Sequence, residues 1–151
     1  MQPMFERLWN LTKRGRSPDV PAEVSAATTG SAGERAAADH LVRVKGMHVL
    51  ARNWREGKDE IDLVCRDGEI LVFVEVKTRR AGARVPGYFT VNGRKKKALL
   101  RAIRAYRARV SPKPASVRFD VVEVESTDGE PGQIRHFENV SLFSKAFARS
   151  R

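Results

Sequence analysis

The chain has 151 residues, 41% hydrophobic and 31% charged, a make-up that fits one globular domain with short extensions and excludes a disordered chain. Its single cysteine, Cys65, excludes an intrachain disulfide, and no apolar run is long enough to form a membrane-spanning helix. The net charge of +11 is concentrated, because residues 76–119 hold fourteen of the 29 basic residues and none of the 18 acidic ones; such a field draws phosphate backbones, with anionic membranes as the competing partner.

Residues 1–16 place Met4, Phe5, Leu8, Trp9 and Leu11 at roughly helical spacing ahead of Lys13, Arg14 and Arg16. They read either as an amphipathic helix that packs on the domain or touches a membrane, or as a disordered tail. They lack the uninterrupted apolar core of a secretory signal, so a cytoplasmic location is expected. The small, proline-broken stretch 17–30 reads as a linker, residues 31–140 as the folded domain and 141–151 as a basic tail.

Ser31 to Glu34 has the spacing of a capping box, which predicts a helix through Lys45 that stops at Gly46 with Ala37, Leu41 and Val44 inward. Three strands are expected next, over 48–55, 60–66 and 69–79, with Asp67-Gly68 as the hairpin turn between the last two. Cys65 falls in the second strand as a small core or edge residue. Ile70 to Val74 are apolar at every position, as in a central strand covered on both faces. Gly82 to Gly93 reads as a loop. Arg94 to Val110 is the clearest helix: Leu99, Ala102, Ile103, Tyr106 and Val110 form one stripe, and Arg94, Lys97, Arg101 and Arg104 line the opposite face. A strand over 118–124, a weaker one over 134–140 after Asp128-Gly129, and a short C-terminal helix with Leu142, Phe143 and Phe147 complete the chain. The order predicts an α/β sandwich around a mixed sheet, with strands two and three antiparallel and a helical crossover to a parallel fourth.

Glu75 and Lys77 share one face of the third strand. Pairing about an Asp67-Gly68 turn sets Asp62 opposite Val72 or Phe73, so Asp62 meets Glu75 only if the second strand bends or bulges. Where the two carboxylates converge they make a hard-oxygen site suited to Mg²⁺ or Mn²⁺. The Val76 carbonyl would be a third ligand, and Lys77 would hold the attacking water or stabilise the transition state. Structural alternatives stand beside these roles. Glu75 and Lys77 could be an exposed strand-end pair worth under ~1 kcal/mol, Glu34 either an outer ligand or a cap, and Glu60 a spare ligand or a solvated side chain. Asp62, between Ile61 and Leu63, needs a partner or a cation. His40, His48 and His136 do not cluster in sequence and are read as no ligand set. Asn53 and Trp54 read as turn and core residues, with stacking on a base as the alternative for Trp54. The basic helix face lacks acidic partners one turn away, so its charges repel unless a polyanion is present. With Arg79 and Arg80, that face is expected to bind nucleic-acid backbone by shape rather than by base sequence.

Taken together, Gly33-Glu34, Asn53-Trp54-Arg55, Glu60-Ile61-Asp62-Leu63, Val72 to Arg79 and Arg118 to Val122 resemble the YraN family of small bacterial proteins. That family is similar to the restriction-endonuclease-like PD-(D/E)XK nucleases, archaeal Holliday junction resolvases among them. The resemblance spans roughly residues 33–140 and implies a three-layer sandwich of order α-β-β-β-α-β. It also implies an active-site set of Glu34, Asp62, Glu75 and Lys77, Mg²⁺ as cofactor, and hydrolysis of DNA in repair or recombination. Where the family has glycine ahead of its Glu-Ile-Asp-Leu, this chain has Lys58-Asp59. The alternative is a non-catalytic nucleic-acid-binding protein that acts with a nuclease partner. DNA is expected ahead of RNA, and a homodimer is compatible with the sequence.

Overall fold

The computed structural model describes residues 30–83 and 93–142. The expected N-terminal extension, the linker up to residue 29, the middle of the loop after Gly82 and the chain beyond Leu142 lie outside the described residues.

Helix α1 covers Gly30–Arg43. It already includes Gly30, so Ser31 lies within the helix rather than capping it, and the capping-box reading of Glu34 is replaced by a different contact given below. Ala37 and Leu41 are buried as expected, but Val44 is 68% exposed, because the helix has ended before it. Gly46, at φ 68°, turns the chain out of the helix with no Cβ to oppose that conformation.

Four more strands and a second helix follow β1 (His48–Glu56): β2 (Asp59–Asp67), β3 (Ile70–Arg80), α2 (Gly93–Arg109), β4 (Ser116–Thr127) and β5 (Glu130–Phe137). They form one mixed sheet in the order β1-β2-β3-β4-β5. Every neighbouring pair is antiparallel except β3 and β4, which α2 connects in parallel. The strand read as the weaker one begins earlier than its apolar residues suggest. Asp128 and Gly129 both have positive φ, which sets a two-residue turn and pairs Thr127 with Glu130.

The apolar run of β3 is divided between the two faces of the sheet. Val72 and Val74 pack with Leu63, Cys65, Val122 and Val124 under α1. Leu71 and Phe73 pack with Val64, Phe119 and Val121 under Leu99, Ala102 and Ile103 of α2. The result is a three-layer α/β/α sandwich, and among the described residues no helix is long and apolar enough to cross a membrane.

At the far side of the sheet, buried Asp120 ties β4 to β5. It accepts hydrogen bonds from Arg118 Nε and Nη2 at 2.9 and 3.0 Å and from the Asn139 amide at 2.9 Å, and it lies 2.8 Å from His136 Nε2. Burial alone would raise its carboxyl, but the bonds to His136 and Arg118 outweigh that and hold it below the ordinary carboxylate range.

Candidate metal centre and basic face

Strand register brings the two key carboxylates level. The β2–β3 hairpin closes with Asp67 paired to Ile70, so its turn is Gly68-Glu69, with Gly68 at φ 58°. The expected Asp67-Gly68 turn is therefore displaced by one residue. Counted from the true turn, Asp62 falls opposite Glu75, further along β3 than Val72 or Phe73. No bulge is needed to align them, although the strand does turn at this point. The ladder itself stops one step earlier, at Leu63–Val74, and Asp62 Oδ2 takes the Val76 amide instead, at 2.7 Å.

The ladder stops because β1 and β2 swivel there. Ile61 packs on the α2 side and Leu63 on the α1 side, although residues two apart in a strand ordinarily share a face. Asn53, which the register sets opposite Asp62, has φ 46°, a left-handed conformation that asparagine tolerates better than most residues. Past the swivel the hairpin leans onto α2. Arg101 grips Asp59 with two bonds of 2.8 Å, and Arg109 Nη2 lies 2.8 Å from Glu56. Trp54 packs edge-on to Tyr106 with Arg109 above it, half-buried against the core on the α2 side.

Glu75 is 3% exposed. Its Oε1 lies 3.0 Å from Lys77 Nζ and 3.1 Å from Lys95 Nζ. Its Oε2 is buried with no hydrogen-bond partner among the described residues. This rules out the alternative of a solvated strand-end pair. Burial, and after it the charge of Glu75, pushes the Asp62 carboxyl up to about 7; the Val76 amide and Lys95 act in the opposite direction.

A buried carboxylate oxygen without a donor is costly unless something positive meets it. Asp62 and Glu75 are hard-oxygen donors. The N–H and C=O of a strand residue face the same edge, so the Val76 carbonyl opens into the gap where the β2–β3 ladder has ended. Among the described residues no three His, Cys, Asp or Glu side chains gather closely enough to hold an ion alone. Two carboxylates, one carbonyl and several waters are the donor set of Mg²⁺ or Mn²⁺, which retain much of their hydration. The residues present fit that ion.

Glu34, on the first turns of α1, accepts a hydrogen bond from Asn53 Nδ2 at 2.9 Å, and its charge is felt at Asp62. It stands at the rim of the site. Gly33 permits this approach, since a Cβ there would run into Thr78 Oγ1 of β3. Glu60 pairs with Arg55 at 3.1 Å.

The residues expected to meet phosphate fall into two groups. Arg80, Arg94, Lys97 and Arg104 are exposed. Arg101 is engaged by Asp59, and Arg79 turns toward buried Glu123, with Nε 3.9 Å from Oε2. The helix is thus partly neutralised by acidic residues of the β1–β2 hairpin, which a search for partners one turn away along the helix does not find. Sequence reasoning also missed Lys95. The signal was present: Lys95 stands four residues before Leu99 and so extends the buried stripe by one turn.

Residues 33–124 match the profile of a family described as Uncharacterised protein family UPF0102. A UPF0102 protein of Symbiobacterium thermophilum is 48% identical over 108 residues, covering 70% of this chain and 87% of its own length. One from Anaeromyxobacter dehalogenans is 42% identical over 108 residues, covering 72% and 79%. Another, from Chlorobaculum tepidum, is 38% identical over 109 residues, covering 72% and 84%.

Proposed function

This chain belongs to the uncharacterised protein family UPF0102, and from that premise and its geometry we propose that it is a divalent-metal-dependent endonuclease acting on DNA. One observation carries the reading: Asp62 and Glu75 meet where the β2–β3 ladder ends, beside Lys77, with a buried oxygen of Glu75 left unpartnered.

Asp62, Glu75 and the Val76 carbonyl would hold Mg²⁺ or Mn²⁺. When bound, such an ion lowers the pKa of its water and offsets the charge that builds on the phosphate oxygens. Asp62 is fixed for this by the Val76 amide and Glu75 by burial, so little is lost in ordering them. Lys77 Nζ, 3.0 Å from Glu75, would hold the attacking water and meet the charge that develops in the transition state. Exposed Arg80, Arg94 and Lys97 would grip backbone, which favours structure over base sequence as the basis of selection.

The test is incubation with linear, flapped and four-way DNA in Mg²⁺ or Mn²⁺. Expected are metal-dependent cuts that fall at least ~100-fold in Asp62→Ala, Glu75→Ala and Lys77→Ala. Cutting that survives both carboxylate substitutions would place the chemistry elsewhere. Salt-dependent binding without cuts would leave the non-catalytic reading, which the exposed basic residues of α2 support independently of the metal site.

A further inference from the structure

Lys95 comes to Glu75 from a separate element. It sits in the first turn of α2, four residues before Leu99 on the inward stripe, and its ammonium lies 3.1 Å from Glu75 Oε1. Lys77 holds the same oxygen at 3.0 Å. Two ammoniums therefore crowd one oxygen of a buried carboxylate while the other oxygen has no hydrogen-bond donor among the described residues. Lys95 also acts electrostatically on Asp62. Without a cation, Lys77 and Lys95 are the positive groups that face the carboxyl groups of Asp62 and Glu75.

A divalent cation entering beside these ammoniums brings two further positive charges to the site. Lys77 is two residues from Glu75 on the same strand, so β3 keeps it in place. Lys95 has a flexible stem and a side chain 38% exposed, on a helix whose solvent face carries Arg94 and Lys97. It is the ammonium that can leave.

We propose that Lys95 is the counter-ion that holds Glu75 until a divalent cation displaces it, and that the displaced ammonium then turns to the substrate's phosphate. This rests on Asp62 and Glu75 being the cation site. It makes metal and substrate mutually favourable, since the charge set free by one is taken up by the other. Lys95 is a positioning residue in the free protein, and it meets substrate only once the ion is in place.

Mn²⁺ titration by electron paramagnetic resonance, without DNA, tests the first step on the full chain. Lys95→Met and Lys95→Gln should bind Mn²⁺ roughly tenfold more tightly than the wild type, because a like charge has gone from the ion's edge. Lys96→Met removes the same charge one residue away, off the inward stripe, and should stay within about twofold of wild type, since a half-buried surface charge at that remove is largely screened. An unchanged affinity in the Lys95 variants, or an equal shift in Lys96→Met, overturns the proposal. Absence of Mn²⁺ binding by all four proteins overturns it together with the cation site. At saturating Mn²⁺, DNA cleavage should be slower in Lys95→Met than in Lys96→Met, and Lys95→Arg should recover part of the rate. Equal rates in Lys95→Met and Lys96→Met would overturn the second step. If no protein cuts DNA but the Mn²⁺ shift is present, the counter-ion assignment stands and the nuclease reading falls.

Discussion

Asp62 is half-buried beside Glu75, and desolvation followed by that neighbouring charge pushes its carboxyl from the ordinary 3.8 up to about 7. The folded state therefore holds the Asp62 proton over a pH range in which the unfolded chain has lost it. Well below pH 4 both states are protonated and Asp62 costs nothing. As pH rises to about 7, the unfolded state gains by ionising and stability falls; above that the loss is complete. Asp62→Asn keeps an acceptor for the Val76 amide but removes the titration. Denaturant unfolding at a series of pH values should show the variant level with the wild type near pH 4. It should be on the order of 2 kcal/mol more stable at pH 8, allowing for a partly open site. Saturating Mg²⁺ should close that gap by stabilising the wild type alone, because the ion binds the ionised carboxylate. A constant difference across the range would contradict the burial argument.

Between elements, α1 comes close to β3 where Gly33 faces Thr78. Alanine is the better helix former by about 1 kcal/mol, but its Cβ would meet Thr78 Oγ1, on a β-branched residue that rotates poorly. Gly33→Ala should therefore destabilise the protein by about 1 kcal/mol. In a Thr78→Ala background the same change should become neutral or stabilising, with a coupling of roughly 1–2 kcal/mol by thermal unfolding. An unchanged effect in the two backgrounds would mean that α1 does not rest on Thr78. How much of this was legible in the sequence follows the range of each interaction. The β3 run, the α2 stripe and the β2–β3 hairpin announce themselves through local periodicity and turn residues. The register of Asp62 was misjudged because Asp67, Gly68 and Glu69 offer two overlapping turns, and only the backbone at Gly68 decides between them. The bond between Glu34 and Asn53, and the acidic partners that β1 and β2 send to α2, join residues distant along the chain and leave no local pattern. Lys95 was overlooked for another reason: on a basic helix its charge outweighed its place on the inward stripe.

For the molecule as a whole, the positive charges of α2 divide into an engaged set and an exposed set. Arg101 and Arg109 of α2 are spent on Asp59 and Glu56, fixing the hairpin that carries Asp62. Arg94 and Lys97 remain on the exposed face. Replacing each with Gln should weaken duplex DNA binding and lower the slope of log affinity against log salt by about 1 per residue. Arg109→Gln should lower stability while leaving that slope in place. The reverse pattern would move the nucleic-acid surface away from the start of α2. The family resemblance, the sandwich and the basic face all bear on phosphodiester chemistry only if Asp62 and Glu75 share an ion. Locating Mn²⁺ by anomalous scattering in crystals of this protein tests that directly. The expected result is one strong peak within about 2.5 Å of both carboxylates, on the Val76 carbonyl side. Occupied Mn²⁺ sites elsewhere with none between Asp62 and Glu75 would contradict it.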